Sequence, residues 1–162
     1  MPGIFPITPL TQWALAFVGM VAFVLYARSW KDAAHLWYDL PASIMVFAFI
    51  AQVLLEAIKG QTNGYWLARM ILIVALTAAI VGREFWRWPL SGHLTCVFAV
   101  ALVQTVDPRI SALERCLYWA PVPLVLLLRW WQFDGNDHWQ TYHAIIAAVV
   151  FSLPVMLVAR CG

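Results

Sequence analysis

Six long apolar segments, separated by short polar stretches, constrain the fold of this chain more than any other feature of its sequence. A membrane-crossing helix needs about 20 mainly apolar residues, because the hydrocarbon core of a bilayer is about 30 Å thick. The sequence therefore predicts an all-α integral membrane bundle of six transmembrane helices, which forms a single domain over residues 1–162. The predicted spans are Leu10–Ala27, Pro41–Ile58, Tyr65–Val81, Leu90–Val106, Cys116–Leu128 and Thr141–Ala159.

The composition supports a membrane location. Hydrophobic residues make up 64% of the chain and charged residues 11%, whereas a soluble domain is about 45–50% apolar and about 25% charged. Most of the ten tryptophans lie near the ends of the predicted spans, where indole rings anchor helices at the membrane–water interface. The net charge of +2 is spread along the chain, so the sequence indicates no nucleic-acid partner.

The polar residues are divided unequally between the two ends of the predicted bundle. Face A is the end that carries both termini and the loops around Lys59 and Asp107–Arg115. Face B is the opposite end, with the loops Arg28–Leu40, Gly82–Pro89 and Arg129–Gln140. All four histidines fall on face B or just inside it, namely His35, His93, His138 and His143. We therefore expect the chemistry of the chain on face B.

Face B offers several groups that suit a phosphate ligand. Arg83, Arg87 and Arg129 carry permanently charged, fork-shaped guanidinium groups. Ser91 and Gly92 open the fourth span, and a helix N-terminus presents N–H groups and a favourable dipole to an anion. One histidine can attack phosphorus while another protonates the leaving oxygen. The histidines available for these roles are His93, His138 and His143.

The stretch Pro89–Thr95, which reads PLSGHLT, resembles the second signature of the type-2 phosphatidic acid phosphatase family. That signature, Pro-Ser-Gly-His-Thr, opens a helix in the family. The family has a six-span core, with two signatures between spans three and four and the third between spans five and six. The layout predicted here from hydropathy agrees with that arrangement.

The resemblance implies an enzyme that hydrolyses a lipid phosphate or diphosphate through a phosphohistidine, with no metal and no cofactor. It implies that His138 is the nucleophile and that His93 protonates the leaving alcohol. In the family an aspartate four residues after the nucleophile orients it, but Tyr142 occupies that position here. The candidate supporting residues are Asp134, Asp137 and His143.

The resemblance also implies which residues hold the phosphate. Arg83 and Arg87 stand for the basic residues of the first signature, although Trp88 separates Arg87 from the proline that follows. Arg129 stands for the arginine of the third signature, with a longer spacing to the histidine than in the family. The implied phosphate-binding residues are Arg83, Arg87, Ser91, Gly92 and Arg129.

Two other functions remain open at the level of sequence. The histidines of face B, together with Asp39, Asp134 or Asp137, are donors that suit zinc, and a zinc-activated water can hydrolyse a lipid bond. Alternatively, the chain is a non-catalytic scaffold or subunit of a larger membrane assembly. The missing orienting aspartate keeps this second alternative open.

Lysine and arginine residues are spread over both faces, so the positive-inside rule does not orient the chain by itself. If the arginines of face B form a site, face A is cytoplasmic and the site lies on the non-cytoplasmic side of an inner or plasma membrane. Near face A, we expect Glu56 to pair with Lys59 and Arg69 to extend back to the membrane surface.

Overall fold

The computed structural model describes residues 9–27, 33–86, 91–132 and 138–161. The described residues are mostly helical, with short turns between helices, and contain no strand, which confirms the all-α prediction. The helices are α1 (Pro9–Ala27), α2 (Ala33–Ile58), α3 (Gly64–Trp86), α4 (Gly92–Val106), α5 (Ala112–Trp119), α6 (Pro121–Gln132) and α7 (His138–Cys161).

Among the described residues, three helices are long and apolar enough to cross a membrane, rather than the predicted six. They are Leu40–Ile58 in α2, Gly64–Arg83 in α3 and Gln140–Ala159 in α7. Two more predicted spans correspond to shorter apolar helices, Leu10–Tyr26 and Gly92–Val106. The 15 residues of α4 extend over only about 22 Å at about 1.5 Å per residue.

The fifth predicted span is divided between α5 and α6. The helix α5 begins with a capping box, in which Glu114 N donates to Ser111 Oγ at 3.2 Å and Ser111 N donates to the Glu114 carboxylate at 3.0 Å. It ends at Trp119, and Pro121 starts the next helix. Because proline has no N–H, it is suited to the first position of a helix and not to its interior. Hydropathy alone does not locate such a break.

The helix α4 lies at the centre of the bundle, where it packs against α2, α3, α5, α6 and α7. Leu94, Val97 and Val100 are buried along it. Large apolar side chains are instead exposed on the outer helices, for example Val74 on α3 and Leu157 on α7. An apolar outer surface around a buried helix is the arrangement that a lipid environment favours, because lipid solvates apolar side chains.

The helices α4 and α7 approach each other closely through small residues. Ala99, Ala144 and Ala148 are buried in the shared core. Ser152 Oγ on α7 donates to the backbone carbonyl of Ala148 at 2.6 Å and to that of Ala99 on α4 at 3.4 Å. Small side chains let helix backbones come together in apolar surroundings, so this contact fixes α7 beside the helix that opens at Ser91.

Candidate functional site

Three of the predicted site residues lie together where α3 ends and α4 begins. A Cβ atom built on Gly92 would lie 3.4 Å from Nη1 of Arg83, so the guanidinium group lies directly beside the first residue of α4. Arg83, Gly92 and His93 all line one cavity of about 300 Å³. The structure therefore places a cation, a helix N-terminus and an imidazole at one opening on face B.

Ser91 precedes α4 and takes the N-cap position with an extended backbone, φ −78° and ψ 103°. Its carbonyl oxygen accepts a hydrogen bond from Thr95 N at 2.9 Å, which starts the helix. The residue is buried, and it is not one of the described residues that line the cavity. The prediction that Ser91 holds phosphate oxygens therefore has less geometric support than the same prediction for Arg83.

Arg129 lies in the last turn of α6 and is buried. Its Nε donates to Thr141 Oγ1 at 3.1 Å, and its Nη2 donates to Gln140 Oε1 at 3.0 Å. These bonds join the end of α6 to the start of α7, where His143 is partly buried. Arg129 therefore holds the end of α6 against the start of α7, the helix that begins with the predicted nucleophile His138.

His138 is the first residue of α7, and only its backbone is described. Three further predicted site residues, Arg87, Asp134 and Asp137, lie outside the described residues. Of the described residues, neither Arg129 nor His143 lines the cavity that Arg83 and His93 share. The described part of face B thus contains two groups of predicted site residues, one at α3–α4 and one at α6–α7.

Within the described ranges, no group of three or more histidine, cysteine or acidic side chains is placed to hold a metal ion. The side chains of His35, Asp39 and His138, which the zinc hypothesis also uses, lie outside the described part of the chain. The metal hypothesis therefore stays a sequence-based alternative.

A network of buried polar groups lies near face A and was not predicted from the sequence. The side chain of Arg69 is 1% exposed, so the prediction that it extends to the membrane surface is wrong. Its Nη1 donates to both carboxylate oxygens of Glu56, at 2.9 and 2.8 Å, and its Nε donates to Gln104 Oε1 at 3.1 Å. Its Nη2 donates to the carboxylate of Asp107. These three partners replace the water that a buried guanidinium group cannot bind.

Asp107 follows the last residue of α4 and is as deeply buried as Arg69. It also accepts hydrogen bonds from Arg109 N at 2.9 Å and from Arg109 Nη2 at 2.7 Å. Burial disfavours the charged carboxylate, but the hydrogen bonds from Arg109 and the charges of Arg69 and Arg109 outweigh it. The pKa of Asp107 therefore lies below its ordinary value of 3.8.

The network continues through neutral side chains into two more helices. Gln104 donates to Gln52 Oε1, which also accepts from the hydroxyl of Tyr118 at 3.3 Å. Gln12 Nε2 donates to the same hydroxyl at 2.7 Å and to the carbonyl of Ala48 at 3.1 Å. Side chains of α1 to α5 thus form one hydrogen-bonded cluster, which satisfies polar groups that are costly to bury unpaired.

The signal for this network was present in the sequence. Gln52 and Glu56 lie four residues apart on one helix face, and Gln104 interrupts an apolar segment at the same end of the bundle. Polar residues inside spans usually face the bundle interior and pair with one another. Which helices are neighbours, however, depends on tertiary packing that hydropathy does not specify.

No protein-family model, no curated protein and no solved structure matches this chain. The resemblance of Pro89–Thr95 to the lipid phosphatase signature therefore stands on the motif itself.

Proposed function

We propose that this protein is an integral membrane hydrolase that releases phosphate from a lipid phosphate or diphosphate. The observation that carries the proposal is the position of Arg83 Nη1 beside Gly92 at the N-terminus of α4, with His93 on the same cavity. A guanidinium group and a helix N-terminus both favour a phosphate. An imidazole beside that phosphate is in a position to donate a proton to a leaving oxygen.

In the proposed reaction, a neutral nitrogen of His138 attacks the phosphorus and the bond from phosphorus to the lipid oxygen breaks. Protonated His93 gives its proton to that oxygen, which leaves as the lipid alcohol or lipid monophosphate. Water then attacks the phosphohistidine and gives a proton to His93, which restores both residues and releases inorganic phosphate. Arg83 is proposed to neutralise charge on the phosphoryl oxygens, and Arg129 is proposed to hold α6 against the start of α7, the helix that carries His138.

The proposal includes the membrane arrangement of the whole chain. The helix α4 is surrounded by neighbouring helices. The non-helical backbone at the ends of this short helix is therefore shielded from lipid by protein. We propose that α1, α4 and the broken pair α5–α6 cross the membrane together with the three longer helices. Six crossings put both termini on the same side of the membrane. We propose that this is the cytoplasmic side of an inner or plasma membrane and that the cavity lies on the non-cytoplasmic side.

The test is phosphate release by the detergent-purified protein from a panel of lipid monophosphates and diphosphates, with and without EDTA. Substitution His138→Ala is expected to abolish release and Arg83→Gln to lower it at least about tenfold, which corresponds to one lost charge-assisted hydrogen bond. The control is Gln61→Ala, which changes an exposed residue near face A and is expected to keep full activity.

The outcomes separate the three functions. Release that survives EDTA and disappears in His138→Ala supports the proposed phosphatase. Release that EDTA stops supports a metal-dependent hydrolase instead. If no lipid in the panel yields phosphate, the scaffold function replaces the enzyme.

A further inference from the structure

The cavity that Arg83 and His93 line extends beyond these two residues as an apolar groove between α1, α2, α3 and α4. Away from the charged end, the residues that line the groove are apolar apart from Ser43. The apolar side chains that shape it most are Phe23, Val46, Phe47 and Ile80. A cavity with a cationic end and an apolar body matches the two parts of a lipid phosphate.

We infer that this groove holds the hydrocarbon chain of the substrate and accommodates one chain, so that the enzyme acts on single-chain lipid phosphates. This class includes lysophosphatidate and polyprenyl phosphates and excludes phospholipids with two acyl chains. The inference rests on the proposed function, because it takes the phosphate to lie beside Arg83 and Gly92. The phosphate then lies at the charged end of the cavity, and the hydrocarbon chain attached to it lies in the apolar part of the same cavity.

The volume of the groove is small compared with two hydrocarbon chains. The whole cavity of about 300 Å³ has room for about ten groups of the size of a water molecule, at about 30 Å³ each, and a methylene group is of similar size. Because the phosphate takes part of this volume, the methylenes that remain correspond to the inner part of one chain. The second chain of a two-chain lipid would have to remain in the bilayer. The headgroup would then not be placed beside Arg83 as it is in a single-chain lipid.

Selection for one chain depends on shape, because the bilayer solvates a hydrocarbon chain as well as a protein groove does. The rings of Phe23 and Phe47 lie with their centroids 6.2 Å apart on the wall of the groove. Phe47 is itself held by Gly19, since a Cβ atom at Gly19 would lie 3.0 Å from Cδ1 of Phe47. Gly19→Ala therefore displaces the Phe47 ring by a small step, without adding a bulky group.

The first test compares phosphate release from mono-oleoyl lysophosphatidate, dioleoyl phosphatidate and glycerol 3-phosphate. Val46→Trp fills the groove and is expected to lower release from lysophosphatidate by roughly tenfold or more, and to lower release from glycerol 3-phosphate, which has no hydrocarbon chain, by a smaller factor. Gly19→Ala is expected to change the ratio of release from lysophosphatidate to release from glycerol 3-phosphate by a smaller factor than Val46→Trp does. Val74→Trp, on the outer side of α3 where Val74 is 65% exposed, is the matched control and is expected to behave like the wild type.

The second test does not depend on catalysis. A single-chain alkyl phosphate with a diazirine in its chain is photo-crosslinked to the protein, and the labelled residues are mapped by mass spectrometry. The inference is supported if the probe labels Phe23, Val46 or Phe47 and if mono-oleoyl lysophosphatidate suppresses this labelling while dioleoyl phosphatidate does not. Equal suppression by both lipids, or labelling confined to the outer surfaces of α3 and α7, overturns it.

The two tests distinguish failure of the groove from failure of the proposed function. Groove labelling without phosphate release from any lipid would overturn the phosphatase and leave a single-chain lipid phosphate binding site. Phosphate release without groove labelling would keep the phosphatase and overturn the chain site.

Discussion

A single guanidinium nitrogen of Arg69 donates to both carboxylate oxygens of Glu56, at 2.9 and 2.8 Å, inside a bundle whose outer surface is apolar. The same side chain is bonded to Asp107, which continues the network to the end of α4. Arg69 thus pairs with the partly buried Glu56 of α2 and, together with Arg109, with the buried Asp107 that follows α4. We expect this arrangement to contribute to stability at face A rather than to chemistry at face B.

Loss of Arg69 should destabilise the fold strongly. Arg69→Met removes the cation and leaves Glu56 and Asp107 without it in a buried setting. Removing one partner of a buried ion pair costs about 3–5 kcal/mol, so we expect a loss of that size in the free energy of unfolding. It is measured by equilibrium unfolding in mixed detergent micelles. Lys59→Met, at an exposed cation near the same face, is expected to cost less than about 1 kcal/mol; an equal loss in both variants would contradict a special role for Arg69.

The pH dependence of stability should reflect Asp107. Because its pKa in the folded protein lies below the ordinary value of 3.8, ionised Asp107 stabilises the folded state. This contribution is fully present above about pH 4 and is lost as the pH falls through the folded-state pKa. The neighbouring charges are those of Arg69, Arg109 and Glu56. We expect Asp107→Asn to remove this acid-dependent part of the unfolding curve below about pH 4; an unchanged curve would show that another acid controls it.

The hydroxyl of Tyr118 should matter for stability although it lies far from face B. It accepts from Gln12 and donates to Gln52, and its residue is 1% exposed. Tyr118→Phe leaves these buried amides with fewer partners, which costs about 1–3 kcal/mol. Tyr142→Phe removes the same hydroxyl from a residue that is 62% exposed, and it is expected to cost less than about 0.5 kcal/mol. Similar losses in thermal unfolding for both variants would argue against the network.

The local sequence predicted local features well. The start of α4 at Ser91–Gly92 and the end of α2 at Ile58 follow from where apolar runs begin and end. The break between α5 and α6 at Pro121 and the burial of Arg69 did not follow. Hydropathy averages over a window and is insensitive to one missing N–H. The partners of Arg69 lie on helices that are distant in sequence, so their proximity depends on how the helices pack.

Two glycines should separate effects on activity from effects on stability. Gly92 lies in α4 beside Arg83 Nη1, so Gly92→Ala crowds the proposed phosphate position while it favours the helix by up to about 1 kcal/mol. We expect lower phosphate release with unchanged or higher stability. Gly60 has φ +70° and open space around it, so Gly60→Ala is expected to cost about 1–2 kcal/mol with no loss of activity per folded molecule. Phosphate release and thermal unfolding are measured on both variants, and a fall in activity that parallels stability in both would contradict a phosphate site at Gly92.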